Sequence, residues 1–307
     1  MRSTPTSKTP VPAAEVCSSL KEWLGNGPQN GMVHSVFHSS VNLLFGSQLV
    51  TLLAASRPLY PFSIRLCDES IPQLAQGMPV NCSTEEIYIE DIGWRLSLNG
   101  AISTDLCLGS VPKDTLCSPG EDTLSMLRRI ILKYGKTDGF APLLTILEPG
   151  DEPPLQSNLY VDFAAKRIPA LLASIASMNI DSAQTAAYSI AGCGIGLTPS
   201  ADDFLCGIMA SLYTESVFRG ERGRICPLLA VLSKAVAGRT NLVSATFLWE
   251  ASLGLVSRDV LKLMKVLYSR VLSQQVFPSA MNVIAFGETS GTDILTGIYF
   301  GQKIYPN

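Results

Sequence analysis

Glu148-Pro-Gly-Asp-Glu-Pro-Pro154 divides the chain into two halves of different character. Three prolines and a glycine in seven residues cannot continue a helix or a strand ladder. Upstream, short β-branched and apolar runs alternate with turn residues. Met32–Phe37, Val41–Phe45, Leu49–Ala54, Ser63–Cys67, Ile87–Glu90 and Trp94–Leu98 read as strands, and Asn99-Gly100 is a hairpin signal. One helix is predicted from Glu121 to Tyr134, because Leu124, Leu127, Ile130 and Ile131 share a face. Downstream, helices are predicted over 164–178, 183–191, 202–218, 227–237, 240–255, 258–273 and 293–301. Strands gathered in one half and helices in the other define an α+β protein. Its N-terminal domain (17–150) is antiparallel, β-rich and barrel-like, and its C-terminal domain (155–307) is mostly α-helical. Residues 1–16, rich in Thr, Ser, Pro and Lys and lacking the apolar centre of a signal peptide, read as a flexible tail.

Composition excludes several function classes. Of 307 residues, 47% are hydrophobic and 16% charged, which supplies a large core and a rather apolar surface of the kind used in subunit contacts. A net charge of −3 without any basic run offers nothing to nucleic acid. The apolar stretches fall short of the ~20 residues that span a membrane. Eight cysteines at irregular spacing, with no C-x-x-C, suit reduced thiols in a cytoplasmic protein.

The helical half carries one spelling twice. Ser200-Ala-Asp-Asp203-Phe-Leu-Cys-Gly207 and Ser290-Gly-Thr-Asp293-Ile-Leu-Thr-Gly297 both read S-x-x-D-Φ-L-x-G. Each follows a glycine-bearing turn: Gly192-Cys-Gly194-Ile-Gly196-Leu-Thr198-Pro199 before the first, Gly287-Glu-Thr before the second. A serine followed three residues later by an acid marks a helix start, where both groups take up free backbone N–H groups. A glycine-rich approach lets the backbone come close to a small anion, which those N–H groups and the helix dipole favour. Gly194, Gly196, Thr198, Ser200, Ser290 and Gly291 are therefore candidate anion-binding residues. Asp202 and Asp203 point about 100° apart on a helix. Assigning the cap to Asp203 leaves Asp202 free for Mg²⁺, a substrate amide or an arginine. Asp293 offers a third carboxylate if the two starts face each other. The competing reading is a pair of structural caps with glycines chosen for tight turns.

Gly238-Arg239-Thr240-Asn241 is a further helix entry. Arg239 has the fork for a carboxylate or phosphate, and Thr240 or Asn241 the cap. His34 and His38, the only histidines, fall short of a zinc site. Cys193 sits in a glycine turn before a helix, an environment that can lower a thiol pKa. No metal site is legible, and Mg²⁺ is the only cofactor the acids suggest.

Taken together, Gly194-x-Gly196-Leu-Thr-Pro-Ser200-x-Asp-Asp-Phe-Leu-x-Gly207 and Gly287-x-Thr-Ser-Gly-x-Asp293-x-Leu-x-Gly297 resemble a bacterial family associated with the oxamate carbamoyltransferase of anaerobic allantoin degradation. The resemblance extends to Gly31–Leu53 and to the T-x-x-S-x-x-x-L-x-x-A-x-x-G stretch over 240–254. It implies a cytoplasmic subunit working with two others, one similar to the acyl-CoA synthetase α-type proteins. The implied reaction moves a carbamoyl group between carbamoyl phosphate and oxamate, with oxalurate as the other partner. Carried onto this chain, the motif positions are Gly194, Gly196, Thr198, Ser200, Asp202, Asp203 and Asp293, the three aspartates being the catalytic candidates. Two positions depart from the family pattern: Ala201 stands where Gly is usual, and Glu288 where His is frequent. A non-catalytic assembly or regulatory subunit, or an enzyme for another small carboxylate, fits the same residues.

Overall fold

The computed structural model describes residues 9–111, 117–269 and 273–306. The chain forms two compact units that divide between Leu106 and Cys107.

The first unit contains β1 (Val11–Cys17), α1 (Ser18–Leu24), β2 (Gln29–Val36), β3 (Ser40–Phe45), β4 (Gln48–Leu53), β5 (Ser63–Leu66), β6 (Pro79–Cys82), β7 (Glu86–Ile89), β8 (Trp94–Ser97) and β9 (Ile102–Thr104). Strand order is β5-β4-β3-β2-β6-β7-β8-β1-β9, and a β1–β5 pairing closes the sheet into a barrel. Hairpin neighbours pair antiparallel, whereas β4–β5, β1–β8 and β1–β9 are parallel, so the barrel is mixed. Alternation along β2 to β4 puts Val33, Val41, Leu43, Val50 and Leu52 in the core.

Every strand read from the sequence is present, and β1, β6, β9 and α1 are additional. All of β1 but Cys17 falls within the segment assigned to a tail; Met1–Lys8 of that segment lie outside the described residues. The reason is non-local. Glu15, a charge in the middle of β1, is buried because Arg65 donates to its Oε2 from Nε (3.1 Å) and Nη2 (2.8 Å), and the Thr104 hydroxyl donates to Oε1. Those partners lie 50 and 89 residues away. His34 is half-buried with Nδ1 3.2 Å from the Ser35 hydroxyl, and His38 is exposed.

The second unit is helical: α2 (Glu121–Tyr134), α3 (Leu143–Leu147), α4 (Leu159–Ala165), α5 (Ile168–Ala176), α6 (Ile180–Ile190), α7 (Ser200–Arg219), α8 (Arg222–Ala237), α9 (Leu242–Ser252), α10 (Arg258–Leu267), α11 (Val276–Ile284) and α12 (Ser290–Lys303). The predicted helix over 164–178 is two helices, with Pro169 in the first turn of the second. α8 begins ahead of Pro227, which lies inside it. The proline withholds one bond from the Gly223 carbonyl, and both residues are exposed, so water can replace it. α10 ends at Leu267, and residues 270–272 of the longer predicted helix lie outside the described residues. Among the described residues no helix is long and apolar enough to cross a membrane.

α7 is buried on all sides through Val217 and packs most extensively on α12. The last glycine of each S-x-x-D-Φ-L-x-G copy makes this contact. A Cβ on Gly207 would lie 2.1 Å from the Ile294 carbonyl oxygen, and one on Gly297 would lie 2.0 Å from the Phe204 carbonyl oxygen. Phe204 and Ile294 occupy the same place in the two copies, so the contact is reciprocal. Farther along, Gly301 approaches Ser211, whose hydroxyl accepts from Gln302 Nε2 at 2.6 Å. The two helices therefore run parallel, backbone against backbone. Phe204 stacks edge-on between Phe140 and Phe300, sealing the crossing.

Gly207→Ala or Gly297→Ala should destabilise the protein by roughly 1–3 kcal/mol or more, because a methyl cannot fit without parting the helices. Gly223→Ala in α8, where a Cβ meets nothing within 4 Å, should be neutral or stabilising by up to about 1 kcal/mol. Denaturant unfolding of the three variants checks this contrast.

Candidate functional site

The glycine turn between α6 and α7 holds three residues with positive φ, Gly192 (71°), Gly194 (131°) and Gly196 (94°). Gly192 admits the Arg239 carbonyl, and Gly194 admits the Ser200 amide, which would lie 2.3 Å from a Cβ. Pro199, at φ −59°, leads into the helix, and its carbonyl accepts from the Asp202 and Asp203 amides. The Ala201 amide donates to the Cys193 carbonyl at 2.9 Å. Ile195 and Leu197 at the tip are exposed. The amides of Gly194, Ile195, Gly196, Leu197, Thr198 and Ser200 have no partner among the described residues.

Neither serine caps its own helix: no side chain closes a cap hydrogen bond at the start of α7 or α12. The relation is crossed instead. The Thr198 and Ser290 hydroxyls are 2.9 Å apart and both face the Asp203 carboxyl; Ser200 and Thr289 face Asp293. Each serine thus serves the acid of the other helix. The parallel crossing allows this because it sets both helix starts at one end. Gly287 (φ 63°) does for Ser290 what Gly194 does for Ser200: a Cβ there would crowd the serine side chain.

The three aspartates have different surroundings. Asp202 is a fastener. Its Oδ1 accepts from the Gly192 amide at 2.9 Å and its Oδ2 from the Thr240 hydroxyl, tying the turn to the entry of α9. Its role is thus the reverse of that expected, with Asp202 engaged and Asp203 spare. Burial raises its pKa, and the bonds from Thr240, Gly192 and Ser244 oppose that. Asp203 is 2% exposed, with Oδ2 unpartnered. Burial and then the neighbouring Asp293 push its carboxyl well above the carboxylate range. Asp293 is fully buried. Its Oδ1 accepts from the Phe140 amide at 2.6 Å, where Gly139 gives it room, and its Oδ2 is unpartnered. Burial lifts it to about 7 against the Phe140, Ser200 and Thr289 hydrogen bonds.

The remaining candidates divide. Thr240 joins the site through Asp202, and Asn241 caps α9 on the Ser244 amide while donating to the Leu197 carbonyl. Arg239 lies on the exposed side, stacked over the Tyr188 ring at 4.8 Å. Gly291 is a packing glycine: its amide donates to the Phe286 carbonyl, and a Cβ would strike the Val283 carbonyl. Glu288 is exposed. The Cys193 thiol is raised, not lowered, because burial and Asp202 outweigh Arg167. Among the described residues no group of three or more His, Cys, Asp and Glu is arranged to hold a metal ion. Sequence reading missed Thr289, Gly139 and Phe140. Thr289, inside the second turn, was within reach of a motif reading; Phe140, with Gly139 beside it, meets Asp293 across 153 residues of chain.

A barrel followed by a helical unit, with two reciprocal Ser–Asp helix starts under a glycine turn, is the setting in which the comparisons with known families fall. The family described as oxamate carbamoyltransferase subunit AllH matches residues 190–302, from the last residue of α6 almost to the end of α12. The AllH family N-terminal domain matches residues 12–104, which spans the barrel. The chain belongs to the AllH family. Neither the curated proteins nor the solved structures compared with it give a match.

A carboxyl whose folded pKa lies above its unfolded value contributes stability that is fully present below the unfolded pKa and is lost as pH rises through the folded one. For Asp293 that window runs from 3.8 to about 7. Asp293→Asn keeps the acceptor for Phe140 and removes the titration. Its unfolding free energy relative to the parent should therefore rise between pH 5 and pH 7, by up to about 1.4 kcal/mol per pH unit. Urea unfolding at several pH values checks the sign.

Proposed function

We propose that this chain is a subunit of a carbamoyltransferase complex that interconverts oxamate plus carbamoyl phosphate with oxalurate plus phosphate. Its ligand lies at the paired starts of α7 and α12. One observation carries this reading: an exposed glycine turn with unpartnered amides leads into the helix start where two carboxyls from two parallel helices are buried, and the AllH match spans this whole arrangement. Amides at a helix start favour phosphate or carboxylate, and Gly194–Thr198 would hold that end of the ligand. Asp203 and Asp293 would face the reacting nitrogen. In the transfer, the oxamate nitrogen attacks the carbamoyl carbon, a C–N bond forms and the bond to phosphate oxygen breaks. The proton lost from nitrogen passes to a carboxylate of the pair. Asp202 and Thr240 position the turn.

The described cysteines are all free, which suits a cytoplasmic site of action. Exposed Ile195 and Leu197 at the turn, with exposed Leu242 following Asn241, suit contact with the other subunits, among them one similar to the acyl-CoA synthetase α-type proteins.

Carbamoyl transfer by the purified complex tests the assignment. Asp203→Asn and Asp293→Asn should each lower kcat by about 10²-fold or more. Thr240→Val, which loosens the turn, should raise KM more than it lowers kcat, and Glu288→Gln should change neither. Full activity in both aspartate variants would mean that this chain serves assembly and that the chemistry lies in another subunit.

A further inference from the structure

Two polar atoms in this helical unit are buried at one place without a partner: Oδ2 of Asp203 and Oδ2 of Asp293. They come from different helices, at equivalent places in the two motif copies, and their residues are 2% and 0% exposed. A buried polar atom left unpaired costs about 1–3 kcal/mol, more if charged, so two orphans at one crossing need an explanation. Other groups do not supply one. The Thr198 and Ser290 hydroxyls bond each other and face Asp203, Ser200 and Thr289 face Asp293, and the Phe140 amide is spent on Oδ1. The nearby titratable groups are acids or a thiol: Asp202, which is satisfied by Gly192 and Thr240, Cys206, and Glu250 behind it. No cation is among the groups that influence the pair.

Two adjacent buried carboxyls with only hydroxyl and amide neighbours cannot both ionise readily, which favours a pair that holds one proton. One proton on two carboxyls supplies one donor and one acceptor. That is the complement of the C=O and syn N–H edge of a primary amide. A dicarboxylate offers acceptors only. We propose that Asp203 and Asp293 share a single proton and that their two free oxygens grip the –C(=O)–NH₂ end of the ligand, while the turn amides of Gly194–Thr198 take its anionic end. The proton-bearing oxygen donates to the amide carbonyl, and the other accepts from the amide nitrogen. The pair is then a specificity device as well as a proton acceptor: it separates an amide from an acid of the same size. This inference rests on the reading that a compact ligand binds at this crossing.

Calorimetric titration of the full chain in its native complex, with oxamate and with oxalate as probes at pH 8, tests it. Oxalate has nearly the same size and differs in carrying a second carboxylate where oxamate has its amide. The complex should bind oxamate at least about tenfold more tightly than oxalate, since oxalate leaves the pair's proton donor satisfied but its acceptor facing an anion. The preference should fade as pH rises far enough to strip the pair's proton, because two carboxylates leave no donor for the amide carbonyl. Asp203→Asn, which fixes one donor and leaves the Asp293 acceptor, should keep the preference for oxamate and extend it to that higher pH. Asp203→Leu should lose the preference; if that variant does not fold, Asp203→Asn still decides the question. Oxalate binding as tightly as oxamate, with both weakened by the Asp203 variants, would overturn the amide assignment and leave an anion site. Binding of both probes undiminished in the Asp203 and Asp293 variants, or of neither to the parent complex, would overturn the site itself.

Discussion

The helical unit is organised by the contact of two helix backbones. α7 and α12 meet at Gly207 and Gly297, each glycine facing a carbonyl of the other helix with no room for a methyl group. Such closeness gives up side-chain burial at the contact. It is made good by dense packing on either side, where Phe140, Phe204 and Phe300 form an edge-to-face series. Because the helices run parallel, their starts fall together. Every other property of the site follows from that. Two positive helix ends at one point favour negative charge, yet both acids there are raised by burial, and Asp293 raises Asp203 further, so the charge they carry is limited.

The repeated spelling thus has a physical meaning that neither copy has alone. Ser200 serves Asp293 and Ser290 serves Asp203, so S-x-x-D is a crossed arrangement between helices and not a capping box within one. The spacing from serine to acid to glycine is the distance along a helix from its start to the crossing point. A copy that lost its glycine would move its serine away from the partner's acid. A substitution far down the helix therefore acts on the site through the helix axis.

Much of this was legible in the chain, and the remainder was hidden for identifiable reasons. Strands from Met32 to Cys67 and from Ile87 to Leu98 announced themselves as β-branched and apolar runs between turn residues, and the helix starts by their glycines and serines. β1 did not, because Glu15 reads as a surface charge until Arg65 and Thr104 are brought to it. α11 was not read as a helix, since nothing in Gln275-Val-Phe resembles a cap. At the site, the structure brings Ser200, Asp203, Ser290 and Asp293 together, and the roles read for Asp202 and Asp203 were exchanged. A helical wheel separates Asp202 from Asp203 by about 100° but cannot say which one faces α12. That depended on Gly192 and Thr240, which hold Asp202 on the other side.

The closeness of the two buried carboxyls is the claim on which the account turns, and ¹³C NMR of the protein with labelled aspartate side chains measures it directly. The carboxyl carbons of Asp203 and Asp293 should titrate far above the ordinary aspartate range, and removing either acid should bring the other's titration down. Two independent titrations near pH 4, each indifferent to the loss of the other residue, would contradict it.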